Sequence, residues 1–138
     1  MDARAAATVG GTKVAEETKR ILLAAHHNAF REALAVRLNQ EEDLEVAWQA
    51  GSMTDTRDVH LDGIDVALVD PLLPDGDGLE LIREVKVANP TALALVLSHK
   101  LDPAQYQQAL GTGAVEVLAT NAALGEVIDA VRRSAATE

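Results

Sequence analysis

The stretch Asp65–Gly78, DVALVDPLLPDGDG, constrains the fold more than any other part of the chain. Val66-Ala67-Leu68-Val69 is apolar and rich in β-branched residues, and it is too short for a buried helix. Such a run reads as a strand buried on both faces, as in a parallel sheet. It stops at a single carboxylate, Asp70. Pro71, Pro74, Gly76 and Gly78 then force the chain to turn sharply. A helical pattern follows at once. In open α/β sheets, ligands and chemistry gather at the carboxyl ends of the strands. Asp70 is therefore the first candidate functional residue.

With 138 residues, the chain is expected to form one domain with a substantial core. Its apolar residues are mainly Ala, Leu and Val, and Phe30, Trp48 and Tyr106 are the only aromatics. That argues against an aromatic stacking platform for single-stranded nucleic acid. Absence of cysteine excludes disulfides, thiolate catalysis and Cys-based zinc sites. There is neither a run long enough for a membrane span nor a signal-peptide pattern, so a cytoplasmic location is expected. The formal charge of −10 falls entirely on residues 20–138, because the acids and bases of residues 1–19 cancel. Such a surface repels phosphate backbones, which argues against direct nucleic-acid binding by this domain.

Residues 1–19 are small and polar and are expected to form a flexible tail, with the folded domain over 20–138. Ile21–Ala25 reads as the first strand. Asn28 is placed to cap a helix carrying Phe30, Ala33, Leu34 and Leu38 at helical spacing. Leu44, Val46 and Trp48 alternate with Glu45 and Ala47, as in a strand nearer a sheet edge. Ser52 is placed to cap a weak helix over 53–61. The third strand is the opening stretch, and its helix buries Leu79, Ile82 and Val85 and ends at Asn89-Pro90. Leu93–Leu97 forms the fourth strand, followed by Ser98. Asp102-Pro103 starts a helix with Ala104, Tyr106, Ala109 and Leu110, ended by Gly111 and Gly113. Ala114–Leu118 is the fifth strand. The last helix carries Leu124, Val127, Ile128 and Val131, after a cap at Thr120-Asn121. Five strands alternating with five helices predict a parallel sheet covered on both faces.

This order of elements resembles the receiver domain of bacterial two-component response regulators, over roughly residues 20–135. Three motifs carry the resemblance. Asp70 ends a strand and is followed by Leu73-Pro74 and Gly78, in the spacing of a Met/Leu-Pro-x-x-x-Gly turn. Ser98 ends the fourth strand, and Gly113-Ala114 precedes the fifth. The stretch HHNAFREALAVRL resembles the first helix of receivers that precede a LuxR-type helix-turn-helix. The resemblance implies a flavodoxin-like, CheY-like doubly wound (βα)5 fold in three layers. It also implies Asp70 as the phosphoacceptor position, Ser98 and Val117 as the switch positions, and a pocket of Ala25, His26, Ser98 and Thr120.

In such receivers two acids after the first strand hold Mg²⁺, and a Lys after the fifth strand contacts the phosphoryl group. Here those positions are Ala25, His26 and Thr120, and the switch aromatic is Val117. Mg²⁺ is a hard cation that favours oxygen ligands, whereas imidazole suits softer metals. The expected result is a pocket without resident metal or cofactor, and a domain that is not an enzyme. A His26–Asp70 pair would neutralise the pocket without metal. A His26–Asp70–His99 metal cluster and solvated loop histidines are the other readings of these side chains. Asp75 and Asp77 are expected to serve the turn and the next helix N-terminus.

Three functions follow as expectations. One is an atypical receiver regulating transcription through protein contacts, as a homodimer, with a histidine kinase or a DNA-binding output domain as partner. The small residues Ala122, Gly125 and Ala130 would let the last helix approach another closely. The second is an ordinary receiver phosphorylated at Asp70. The third is a ligand-sensing domain whose neutral pocket binds a metabolite.

Overall fold

The computed structural model describes residues 18–98, 103–119 and 124–136. Strands β1 (Lys19–Ala24), β2 (Leu44–Ala50), β3 (Val66–Val69), β4 (Leu93–Ser98) and β5 (Ala114–Ala119) form one sheet. The order is β2-β1-β3-β4-β5 and all pairings are parallel. The helices are α1 (Asn28–Asn39), α2 (Gly78–Ala88), α3 (Pro103–Gly111) and α4 (Leu124–Ala136).

Alternation along the strands produces the three layers. Leu22, Ala24, Ala67, Val69, Ala94 and Val96 face Leu81, Ile82 and Val85 of α2, and Ala109 of α3. Their neighbours Ile21, Leu23, Val66, Leu68, Leu95 and Leu97 face Leu34, Ala35 and Leu38 of α1, and Val127, Ile128 and Val131 of α4. All four residues of β3 are wholly buried, as a strand at the centre of a doubly covered sheet must be. Each large aliphatic side chain removed from water contributes about 1.5–3 kcal/mol, so this strand and α2 anchor the domain. β2 is an edge strand, as its alternating pattern predicted. The pairing with β1 slips by one residue between Val46 and Trp48, and Trp48, on the same face as Leu44 in a regular alternation, is 40% exposed.

Several expectations need correction. Residues 53–61 form no α-helix, only the single 3₁₀ turns Thr54–Thr56 and Leu61–Gly63. The segment lacks an apolar stripe, and its first backbone donors are taken from outside. Met53 N–H and Thr54 N–H both donate to the Asp75 carboxylate, at 2.7 and 2.9 Å. The N-cap of the first 3₁₀ turn is Met53, not Ser52, although Ser52 Oγ accepts from Asp55 N–H at 3.2 Å. The N-cap of α1 is His27, not Asn28, and its side chain makes no capping bond. Leu34 and Leu38 of α1 are buried and Phe30 packs against the core as expected, but Ala33 is exposed and Ala35 is buried in its place. Ala104 of α3 is exposed. Thr18 is buried and Lys19 opens β1, so the fold claims two residues assigned to the tail. The remainder of that tail, Asp102 and the Thr120-Asn121 cap lie outside the described residues. Ala130 faces the core, fully buried, while Gly125 is exposed, so these two do not line one surface of α4.

Candidate functional site

The carboxyl ends of β1 and β3 are adjacent, because Ala24 is in register with Val69. Asp70 N–H donates to the Ala24 carbonyl at 2.8 Å, and Ala25 N–H to the Ala50 carbonyl at 2.9 Å. These bonds continue the ladder one step past the strands and bring Ala25 and Asp70 to the same edge. A cleft of about 440 Å³ opens there, lined by Ala25, His26, His27, Ala29, Phe30, Asp70 and Leu72.

Asp70 is partly buried, and its Oδ1 accepts from Leu72 N–H at 2.8 Å across Pro71. This is an Asx turn, in which the side chain stands in for a backbone acceptor. Further along, Gly78 N–H donates to the Pro71 carbonyl at 2.9 Å, and Asp77 caps α2 by accepting from Leu79 N–H at 2.9 Å. A Cβ on Gly78 would lie 2.2 Å from the Asp70 carbonyl oxygen and 2.9 Å from Pro71 Cα. Only glycine allows α2 to start this close to the end of β3.

Asp75 has a different role from the one expected. Besides the two backbone donors, it accepts from the Thr54 hydroxyl at 2.7 Å. It therefore ties the loop after β3 to the connection after β2. The Thr54 hydroxyl, followed by the Met53 and Thr54 amides, holds the Asp75 carboxyl down at about 2. Arg31 braces the floor of the site from α1, donating to the Ala25 carbonyl at 2.8 Å.

The structure thus brings Ala25, His26 and Asp70 together. No ion pair joins His26 to Asp70 among the described residues, and His26 is exposed. The His26 and His27 rings lie 5.6 Å apart, tilted by 46°. Among the described residues no group of three or more His, Asp or Glu side chains is placed to hold a metal. Thr120 and His99 lie outside the described residues, and with His99 goes the proposed three-residue cluster. Ser98 ends β4, buried, and is not among the residues lining the cleft. Val117 is half-buried, in register with Val96, and packs against the α2-side core. Sequence reasoning missed Ala29, Phe30 and Leu72 as lining residues. Their signal is positional, since Ala29 and Phe30 occupy the first turn of the helix after β1.

Comparison with known proteins agrees with this geometry. The family model for the response regulator receiver domain matches residues 21–132. The chain belongs to this family. It is 26% identical over 116 residues to the response regulator protein VraR of Staphylococcus epidermidis, covering 83% of this chain and 56% of that one. It is 32% identical over 80 residues to the DNA-binding transcriptional activator DevR/DosR of Mycobacterium tuberculosis, covering 57% of this chain and 37% of that one. The signal receiver domain of the response regulator NarL from M. tuberculosis superposes with a TM-score of 0.77 at 27% identity, over 88% of this chain and 99% of that one. The chain thus spans about half, or less, of these two curated relatives' length. The receiver fold and a place in response regulator signalling are established by these matches and by the strand order. No described helix is long and apolar enough to cross a membrane.

The family's Mg²⁺ does not fit the donors present. Of the positions that supply its ligands, only Asp70 carries a carboxylate, and one of its oxygens already accepts from Leu72 N–H. Ala25 offers no side-chain ligand, and His26 offers nitrogen to a cation that prefers oxygen.

Proposed function

We propose that this receiver signals through protein contacts and not through Mg²⁺-dependent phosphorylation of Asp70, and that it has no enzymatic activity of its own. The observation that supports this is the composition of the cleft, where Asp70 is the sole carboxylate among the described lining residues. Phosphoryl transfer to an aspartate needs positioned positive charge to offset the charge developing on the phosphoryl oxygens. Among the described residues lining the cleft there is no Lys or Arg and no second carboxylate to hold a cation. The partners proposed are a histidine kinase or a DNA-binding output segment, by analogy with the transcriptional activator among the relatives, and a second copy of the chain.

The test is intact-mass analysis after incubation with acetyl phosphate and Mg²⁺. The expected outcome is no gain of a phosphoryl group in the native chain. The double variant Ala25→Asp/His26→Asp restores two oxygen donors beside Asp70, and is expected to gain one phosphoryl group that Asp70→Asn removes. Stoichiometric modification of the native chain at Asp70 would overturn the proposal. Sedimentation of the same sample reports whether two copies associate.

A further inference from the structure

We infer that the cleft beside Asp70 is a binding site for a small organic cation, an amine carried on a compact apolar body. Its volume, about 440 Å³, lies within the roughly 300–1,000 Å³ of ligand pockets. Its lining has the composition such sites have, mostly apolar surface with a few polar groups. Ala25 forms the buried floor, Ala29, Phe30 and Leu72 form apolar walls, and Asp70 supplies the formal charge.

The carboxylate geometry selects the sign of the ligand. Asp70 Oδ1 is committed to Leu72 N–H, whereas Oδ2 has no protein partner among the described residues. The two oxygens of a partly buried carboxylate offer about four acceptor sites. Among the described residues lining the cleft there is no Lys or Arg, and Ala29, Phe30 and Leu72 offer it only apolar groups. His26 and His27 rim the cleft and are exposed. Arg31 donates to the Ala25 carbonyl and through Nε–H to Gln49 Oε1, and is not among the residues lining the cleft. An ammonium group meeting Asp70 Oδ2 completes the carboxylate's bonding, and the apolar body covers Phe30 and Leu72. The formal charge of −10 favours the approach of a cation at long range.

Occupancy also has a structural consequence. The carboxylate that would bind the amine holds the Leu72 backbone, and Leu72 is 69% exposed. On the other side of Leu72 lies a second cleft of about 350 Å³ that reaches Gln105 and Ala109 of α3. A ligand on Asp70 therefore bears directly on the one side chain shared by both clefts.

This inference rests on Asp70 carrying neither metal nor phosphoryl group, and its test separates the two claims. The unphosphorylated chain, with a chelator present, is titrated with phenethylamine and with phenylacetate, which share a body and differ in charge. Binding is followed by NMR shifts of residues 25–30 and 70–72 and by thermal shift. A charge-assisted hydrogen bond is worth about 1.5–3 kcal/mol, so the amine should bind about 10- to 100-fold more tightly than the acid. Asp70→Asn keeps the oxygen that accepts from Leu72 N–H and loses only the charge, and should bring the two probes to similar affinity. Ala29→Trp, at an exposed wall position, should abolish binding of both while the thermal midpoint without ligand is unchanged. Equal or stronger binding of the acid, or no saturable shift with the amine, overturns the inference. A phosphoryl mass gain in the separate acetyl phosphate experiment overturns the proposed function and leaves the amine titration standing.

Discussion

Replacing Gly78 by alanine tests how closely α2 abuts the end of β3. In most helices this substitution stabilises, by about 0.5–1 kcal/mol, because alanine loses less backbone entropy on folding. Here the added methyl would sit 2.2 Å from the Asp70 carbonyl oxygen, 2.9 Å from Pro71 Cα and 2.9 Å from Val69 Cγ1. Two of the three obstacles are backbone, and the third belongs to a wholly buried residue of β3. Relief to a 3.0 Å contact needs a displacement of about 0.8 Å. That motion strains the bond from Gly78 N–H to the Pro71 carbonyl. Overpacking of this kind costs about 1–3 kcal/mol, and a weakened hydrogen bond about 0.5–1.5 kcal/mol more. The net expectation is a loss of about 2–3 kcal/mol, or roughly 8–12 °C in Tm for a chain of this size. Thermal unfolding followed by circular dichroism measures it. Gly111 provides the control: nothing lies within 4 Å of a Cβ built there and its φ is negative, so Gly111→Ala should stabilise by about 0.5–1 kcal/mol. If both alanine variants are equally stabilised, the close approach of α2 to Asp70 is wrong.

Further outcomes follow from the same structure. Leu81→Ala empties a wholly buried site in the α2 layer and should cost about 2–5 kcal/mol in denaturant unfolding. Because the Asp75 carboxyl is lowered on folding to about 2, its contribution is present above the ordinary carboxylate range near pH 4 and is lost as pH falls towards 2. Asp75→Ala should therefore destabilise at neutral pH and flatten the acid limb of a stability–pH curve between about pH 4 and 2; an unchanged limb would refute the clamp on Met53 and Thr54. Arg132 on α4 pairs with Glu41 and Asp43 beyond the end of α1. All three are solvent-accessible, so the Tm difference between native chain and Arg132→Gln should be small and shrink as salt rises.

Much of this fold was legible because its signals are local. Buried strands announce themselves as short aliphatic runs, and Leu79, Ile82 and Val85 as a helical stripe; all proved buried. What failed was decided by tertiary hydrogen bonds. Nothing within residues 53–61 reveals that Asp75, some twenty positions on, would take the amides a helix there would present at its start. Ala33 and Ala35 are the same residue type, and only the docking angle of α1 decides which one is buried. The site was partly legible for the same reason. Asp70 and Ala25 adjoin because β1 and β3 pair, and that pairing follows from the fold. The walls that Phe30 and Leu72 give the cleft depend on where α1 starts, a detail set by packing.

The persistence of the Asp70–Gly78 motif without the acids that usually accompany it has a physical reason separate from phosphorylation. Asp70 accepts from Leu72 N–H and so fixes the turn through Pro71. Asp77 caps α2, and Gly78 admits the backbone contact that lets α2 cover β3. Asp75 fixes the neighbouring connection. Asp70, Asp75, Asp77 and Gly78 thus each have a folding role that phosphorylation does not require, so their presence alone does not argue for phosphorylation. The positions that serve only the chemistry, after β1, carry no such folding constraint. Ala25 needs only to be small enough for the buried floor, and His26 is exposed. The presence of the first set without the second is what the proposed contact-signalling receiver requires of its sequence.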